Sequence, residues 1–194
     1  ERNGLYYLVN KSKPFSGVII NRYPNGFVSS KIKIKNGKKE GKYTEYFTTS
    51  LFVLGGGPSL IKEYKNGVLT GDVIKYNSLL FKDAIISRKK YKNGVAEGKW
   101  ISYFGKGKDI TKAGFFTDGL PNGEFYFYFH PNKITSKLNF INGLLNGPVT
   151  YFYENGQKKI TIDFVNGIMN GKIQIYSKNG VLIYNLPVKD STIS

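Results

Sequence analysis

The sequence predicts an all-β protein: an elongated repeat array of antiparallel β-hairpins forming a single twisted, curved sheet. Three observations predict it. The pattern Asn/Asp-Gly-x-x-x-Gly occurs six times, at Asn36-Gly37…Gly41, Asn66-Gly67…Gly71, Asn93-Gly94…Gly98, Asp118-Gly119…Gly123, Asn142-Gly143…Gly147 and Asn166-Gly167…Gly171. The second glycines are 30, 27, 25, 24 and 24 residues apart, and Gly17, 24 before Gly41, starts a further unit, giving about seven. A fixed period of this size marks repeat architectures. No segment carries a 3.6-residue apolar period over a useful length, whereas β-branched and aromatic residues fill the stretches between glycines.

Each unit reads as two strands. The first follows the second glycine and has an aromatic residue five positions on, at Tyr46, Tyr76, Tyr103, Tyr128, Phe152 and Tyr176. A turn follows, explicit at Pro24-Asn25-Gly26, Asn155-Gly156 and Asn179-Gly180. The return strand ends at Ile34, Tyr64, Tyr91, Phe116, Phe140 or Phe164. Asn-Gly is the pair that tight hairpin turns with positive φ demand. The first glycine of each motif is therefore expected in the left-handed region. The second is expected at a strand start, where a missing Cβ lets an aromatic ring lie over the backbone. On this basis Gly143→Val is expected to damage pairing far more than Lys137→Ala.

The units Tyr151-Phe152-Tyr153-Glu154-Asn155-Gly156-Gln157-Lys158 and Asn166-Gly167-Ile168-Met169-Asn170-Gly171-Lys172-Ile173 resemble the bacterial MORN-repeat variant family, of the MORN-2, antitoxin-like type. The resemblance covers about residues 15–184 and is closest at 119–180. An inserted loop at about 47–59 departs from it. The resemblance implies a hairpin sheet that scaffolds partners and has no catalytic residue set to carry over. It divides the chain into an N-terminal cap (1–14), the repeat domain (15–184) and a C-terminal tail (185–194). The strand Val181-Leu182-Ile183-Tyr184 is expected to close the far end, with Pro187 ending pairing.

Composition narrows the chemistry. With no cysteine, disulfides, thiolate metal sites and cysteine nucleophiles are excluded. One histidine, His130, cannot form a multi-histidine metal centre and reads as a surface turn residue. No apolar run reaches the roughly 18–20 residues of a membrane helix. The phosphate-loop-like stretches Gly37–Lys42 and Gly94–Lys99 lack the Ser/Thr after lysine and have no helix to follow them. Glu40, Glu97 and Glu124 recur beside glycines, and repetition accounts for them without a catalytic pair. The expectation is no enzyme, no metal and no cofactor.

The 194 residues carry 29 basic and 13 acidic side chains, a net of +16. The charge is lopsided, with +14 on residues 1–112 and +2 on 113–194. Lysine outnumbers arginine 26 to 3, which argues against sequence-specific nucleic-acid binding. Strand period two puts Ile32 and Ile34, Leu138 and Phe140, and Ile160, Ile162 and Phe164 on one side. The other side carries Lys31, Lys33, Lys35, Arg88, Lys90, Lys92 and Lys137, expected to stack as rows of positive charge. These rows read either as a solvated face or as a binding groove. The second candidate is aromatic: Phe115, beside Phe116, and Phe125, Phe127 and Phe129, in a run of five that puts rings on both faces, so that one side needs cover from the chain or from a partner.

The expected function is a non-enzymatic protein-binding scaffold. The alternative is an envelope or surface factor that binds an anionic polymer, glycan or lipid headgroup through lysine rows. The chain starts at Glu1 without an initiator methionine, and export is favoured over the cytoplasm.

Overall fold

The Asn-Gly pairs determine how the strands connect. In the computed structural model, which describes residues 1–48, 56–77, 84–130 and 133–191, Asn36 and Gly37 have φ of 49° and 75°. The five later motifs repeat this double left-handed geometry, from Asn66 (52°) and Gly67 (84°) to Asn166 (51°) and Gly167 (83°). Two consecutive positive φ values make a two-residue turn whose twist matches that of the flanking strands. The second kind of turn differs. At Tyr23–Phe27, Gly26 N–H donates to the Tyr23 carbonyl at 2.9 Å and Tyr23 N–H to Phe27 at 2.8 Å, and only Gly26 (φ 85°) is left-handed. Tyr153–Gln157 and Ser177–Val181 close in the same way.

These turns link β1 (Gly17–Arg22), β2 (Val28–Lys35), β3 (Lys38–Tyr46), β4 (Pro58–Lys65), β5 (Val68–Tyr76), β6 (Ile85–Lys92), β7 (Val95–Phe104) and β8 (Asp109–Thr117). They continue with β9 (Leu120–Pro121), β10 (Gly123–His130), β11 (Lys133–Ile141), β12 (Leu144–Leu145), β13 (Gly147–Phe152), β14 (Lys158–Val165), β15 (Ile168–Tyr176) and β16 (Leu182–Ser191). All 16 strands belong to one open antiparallel sheet of consecutive hairpins, not closed into a barrel. The short β9 and β12 are the first residues of arms interrupted at Asn122 and Asn146, whose N–H groups turn back to Phe115 and Asn139, each at 2.9 Å.

The chain divides into two compact units, one of residues 1–95 and 105–107, the other of 96–104 and 108–194. In the first unit Ile32 and Ile34 are buried on the face opposite the lysines of β2. Beside them Tyr43 and Tyr64 meet edge to face at 6.4 Å, with the Lys62 and Lys39 ammonium groups 5.7 and 5.2 Å from the respective ring centres. In the second unit the equivalent face is an aromatic cluster. Phe125 packs at 5.6 Å from Phe116, 5.1 Å from Phe140 and 6.2 Å from Trp100, and its ring covers Gly114. Val149 and Phe164 are also buried.

Two further features repeat. The ladder slips by a residue at each bulge-position aromatic: between Glu45 and Tyr46, Lys75 and Tyr76, Ser102 and Tyr103, Phe127 and Tyr128, Tyr151 and Phe152, and Ile175 and Tyr176. A bulge at that point bends the arm and increases its twist. Five of the six second glycines lie directly opposite the residue that ends a return strand: Gly41 against Tyr64, Gly71 against Tyr91, Gly98 against Phe116, Gly123 against Phe140 and Gly147 against Phe164, while Gly171 faces Val188.

The expected reason for that second glycine is corrected here. A Cβ built on Gly41 or Gly123 would meet nothing within 4 Å, so no ring needs the space. Their φ values of 74° and 82° impose the choice instead. The ring-over-backbone arrangement occurs at Gly114, outside the motif, and at Gly17, where Phe15 lies 2.5 Å from a built Cβ. Two boundary expectations also change. Pairing does not end at Pro187: Lys172 faces Pro187, Gly171 faces Val188 and Met169 faces Ser191. Residues 185–191 therefore belong to a strand rather than to a tail. Proline is tolerated because β16 is the last strand in the sheet order, where an N–H need not be shared on both sides. At the other end, Pro14-Phe15-Ser16 acts as an arm for the first turn: Gly37 N–H donates to Phe15 at 2.7 Å and Asn36 N–H to Ser16 Oγ at 2.8 Å. Of the inserted loop, 49–55 lie outside the described residues.

Candidate functional site

The turns are tied together by a ladder. Gly67 N–H donates to Lys39, Gly94 to Leu69, Gly119 to Ala96, Gly143 to Pro121 and Gly167 to Leu145, at 2.8–2.9 Å. Each acceptor lies two residues past the preceding motif's first glycine. The residue before the second glycine reinforces the ladder. Glu40 accepts from the Asn66 N–H at 2.8 Å and Glu97 from the Asp118 N–H at 2.9 Å. These two carboxylates are thereby committed to backbone. Glu124 has another role: it accepts from Tyr126 Oη and pairs with Lys137, whose ammonium sits 5.5 Å from the Tyr126 ring centre. Hydrogen bonding from Lys137, then Tyr126, lowers the Glu124 pKa, and the same contact to Glu124 raises those of Lys137 and Tyr126.

Directly paired residues share a face. In the first unit Lys31 faces Ile20 and Thr44, Thr44 faces Ile61, Ile61 faces Ile74, and Ile74 faces Arg88. Lys31 and Arg88 therefore lie on one face, with Thr44, Ile61 and Ile74 between them. The neighbouring positions put Lys33 opposite Glu40, Lys42 opposite Glu63 and Lys90 opposite Asp72. Continuous rows of positive charge are thus corrected to cations interrupted by carboxylates and aliphatics. Those carboxylates are partly engaged, Glu40 by the turn and Asp72 by Arg88 at 3.7 Å. Lys31, Lys33, Lys35, Arg88, Lys90 and Lys92 are all exposed.

The denser cationic feature is the turn edge, which the sequence reading did not single out. Lys35 and Lys38 face each other beside Asn36-Gly37, and Lys65 faces Val68 beside Asn66-Gly67. Lys92 and Val95 flank Asn93-Gly94. All six residues are exposed. In the second unit the same positions hold Thr117/Leu120, Ile141/Leu144 and Val165/Ile168, with the five aliphatics 37–51% exposed. Within each unit the residue after a turn lies across the next turn: Lys38 Cβ is 3.6 Å from a Cβ built on Gly67, and Leu144 Cδ2 is 3.6 Å from one on Gly167. The signal was available in the residues on either side of each Asn/Asp-Gly, which change from lysine to aliphatic along the chain.

The aromatic candidates separate. Phe125 is 4% exposed inside the Trp100–Phe116–Phe140 cluster and is withdrawn as a contact residue. Phe127 is half-buried, with the Lys112 ammonium 5.7 Å from its ring centre. Phe115 (44%) and Phe129 (70%) remain at the surface. Tyr126 and Tyr128 share the opposite face at 6.4 Å. Lys112 and Lys137 lie over Phe127 and Tyr126, so lysines cover part of the run, while Phe129 stays exposed. Lys137 is not a bare surface lysine, because it holds Glu124 and Tyr126. The side chain of His130 lies outside the described residues.

Clefts recur at the bulge edge. In the first unit one of about 390 Å³ is lined by Ile20, Phe27, Val28, Lys31, Tyr46 and Phe47. In the second, one of about 490 Å³ is lined by Phe152, Tyr153, Glu154, Asn155, Lys159 and Lys178. Tyr153 Oη donates to the Tyr176 carbonyl at 2.8 Å, which fixes its ring as a wall. Among the described residues no group of three or more His, Asp or Glu could hold a metal, and no helix is long and apolar enough to cross a membrane. No protein-family model matches the chain, and no curated protein matches it.

Proposed function

We propose that this protein is a non-catalytic binding module of MORN-variant-like repeats that docks an acidic protein segment on the lysine-bearing turn edge of its first unit. The observation that carries the reading is the grouping of Lys35, Lys38, Lys65 and Lys92 at successive turns of one edge, all exposed. Nearby carboxylates are diverted: Glu40 to a turn N–H and Asp72 to Arg88. An edge of this kind attracts an acidic chain over long range, and Val68 and Val95 add apolar contact once it arrives. The 24-residue unit, its paired glycines and its bulge-position aromatic support the family reading.

Binding of fluorescent poly-glutamate tests the edge. The variant with Lys35, Lys38, Lys65 and Lys92 all changed to Ala should bind roughly tenfold more weakly, since exposed pairs contribute about 0.2–1 kcal/mol each. Wild-type binding should fall as salt rises. Unchanged affinity in the fourfold variant would refute the reading. A second reading, an anionic glycan, is favoured by the cleft that combines Phe152 and Tyr153 with Lys159 and Lys178. Heparin binding that survives the edge variant and is lost in Lys159→Ala/Lys178→Ala would select it.

A further inference from the structure

The turn at Asn3-Gly4 is the twin of the array turns in geometry and their opposite in bonding. Asn3 and Gly4 have φ of 49° and 74°, against 49° and 75° at Asn36 and Gly37. Both are two-residue turns; Arg2 and Leu5 exchange N–H···O bonds of 2.8 and 2.9 Å across the first. The difference lies at one atom. At the array's double left-handed Asn-Gly turns the glycine N–H is held by a carbonyl of the preceding arm, at 2.7 Å for Gly37 and 2.8–2.9 Å for Gly67, Gly94, Gly143 and Gly167. The Gly4 N–H has no hydrogen-bond acceptor among the described residues. Asn3 and Gly4 are exposed, and the space beside Gly4 is open to 4 Å.

That nitrogen is the nucleophile in asparagine deamidation. After hydroxide removes its proton, it attacks the side-chain amide carbon of the preceding asparagine. A C–N bond forms, ammonia leaves, and a five-membered imide results. Water then opens either imide carbonyl, giving aspartate or isoaspartate. Glycine is the following residue that hinders the attack least, because it has no Cβ. A proton held in a short hydrogen bond is removed only after local opening, as in amide exchange. We infer that Asn3 is a site of spontaneous deamidation, and that the turn ladder shields Asn36, Asn66, Asn93, Asn142 and Asn166 from the same reaction. Asp118, with φ 49°, shows that a ladder turn accommodates the unrearranged acid. Isoaspartate would lengthen the backbone by one carbon and break the Arg2–Leu5 pairing.

The test is incubation of the native protein in mildly alkaline buffer, followed by digestion and mass spectrometry of the peptides carrying Asn3, Asn36, Asn66, Asn93, Asn142 and Asn166. Asn3 should convert faster than the five ladder asparagines by roughly fivefold or more, the size of one net hydrogen bond. In denaturant the six rates should converge. Equal native rates would overturn the inference, and so would an Asn3 advantage that persists in denaturant, since flanking sequence would then be the cause. Hydrogen exchange closes the remaining route. The Gly4 amide should exchange quickly while the Arg2 and Leu5 amides stay protected. If all three exchange together, fraying of the hairpin explains the reactivity and the missing bond does not.

Discussion

The two units run the same backbone with different side chains. Both place left-handed Asn-Gly or Asp-Gly pairs at one set of turns, left-handed glycines at the second motif position, and bulges five residues on. The first unit holds 19 basic and 6 acidic residues, a net of +13, and the second holds 10 and 7, a net of +3. Return strands end in Ile34, Tyr64 and Tyr91 in the first, and in Phe116, Phe140 and Phe164 in the second. The hydroxyl is the instructive difference. Tyr64 stays half-exposed with the Lys39 ammonium over its ring, whereas Phe116 and Phe140 collapse into a cluster around Phe125. Backbone geometry therefore comes from glycine and asparagine, leaving the remaining positions to decide whether a unit is sticky by charge or by apolar surface.

The largest expected effect tests whether stability is concentrated differently in the two units. Phe125→Ala should cost about 3–5 kcal/mol and Ile34→Ala about 2–5 kcal/mol. Chemical denaturation should rank the phenylalanine first, because three rings, Trp100, Phe116 and Phe140, lose a common neighbour; the reverse order would break the comparison. Next come the shared glycines. Gly41→Val and Gly123→Val should each cost about 1–2 kcal/mol from φ alone, and by similar amounts in the two units. A large gap between them would show that the backbones are not equivalent. Smaller still is the response to salt. Raising ionic strength should relieve self-repulsion in the first unit and increase amide protection there, with little change in the second. Equal responses would mean that the lopsided charge has no energetic consequence.

The smallest effect concerns pH in the second unit. The folded-state pKa of Glu124 is lowered, so its contribution is present above the ordinary carboxylate pKa and is lost as pH falls through the lowered value. Wild type should lose a little stability across that acidic range, and Glu124→Gln should lose less. Urea midpoints at neutral and acidic pH provide the comparison.

Most of the architecture could be read from glycine spacing, because a left-handed backbone leaves few residue choices. The faces of β2, β11 and β14 also followed from period two, with Ile32, Phe140 and Phe164 on one side and Lys31 and Lys137 on the other. What sequence could not supply was lateral register. The charge rows failed because bulges and insertions set Glu40, Glu63 and Asp72 opposite lysines. Phe125 was misjudged because five adjacent aromatics look alike until a neighbouring strand places Gly114 beneath one of them. The lysine edge is harder to read because its members directly flank successive turns that lie far apart along the chain.

The turn ladder makes the molecule's length adjustable. Each turn after the first requires of the arm before it only a carbonyl two residues past a glycine, whatever that arm's side chains are. Excising residues 143–166 would join Asn142 to Gly167 and present Gly167 N–H to the Pro121 carbonyl that Gly143 uses now. Whole cassettes can be gained or removed without redesigning the joint, so duplication and deletion in multiples of this unit offer an evolutionary route to surfaces of graded reach.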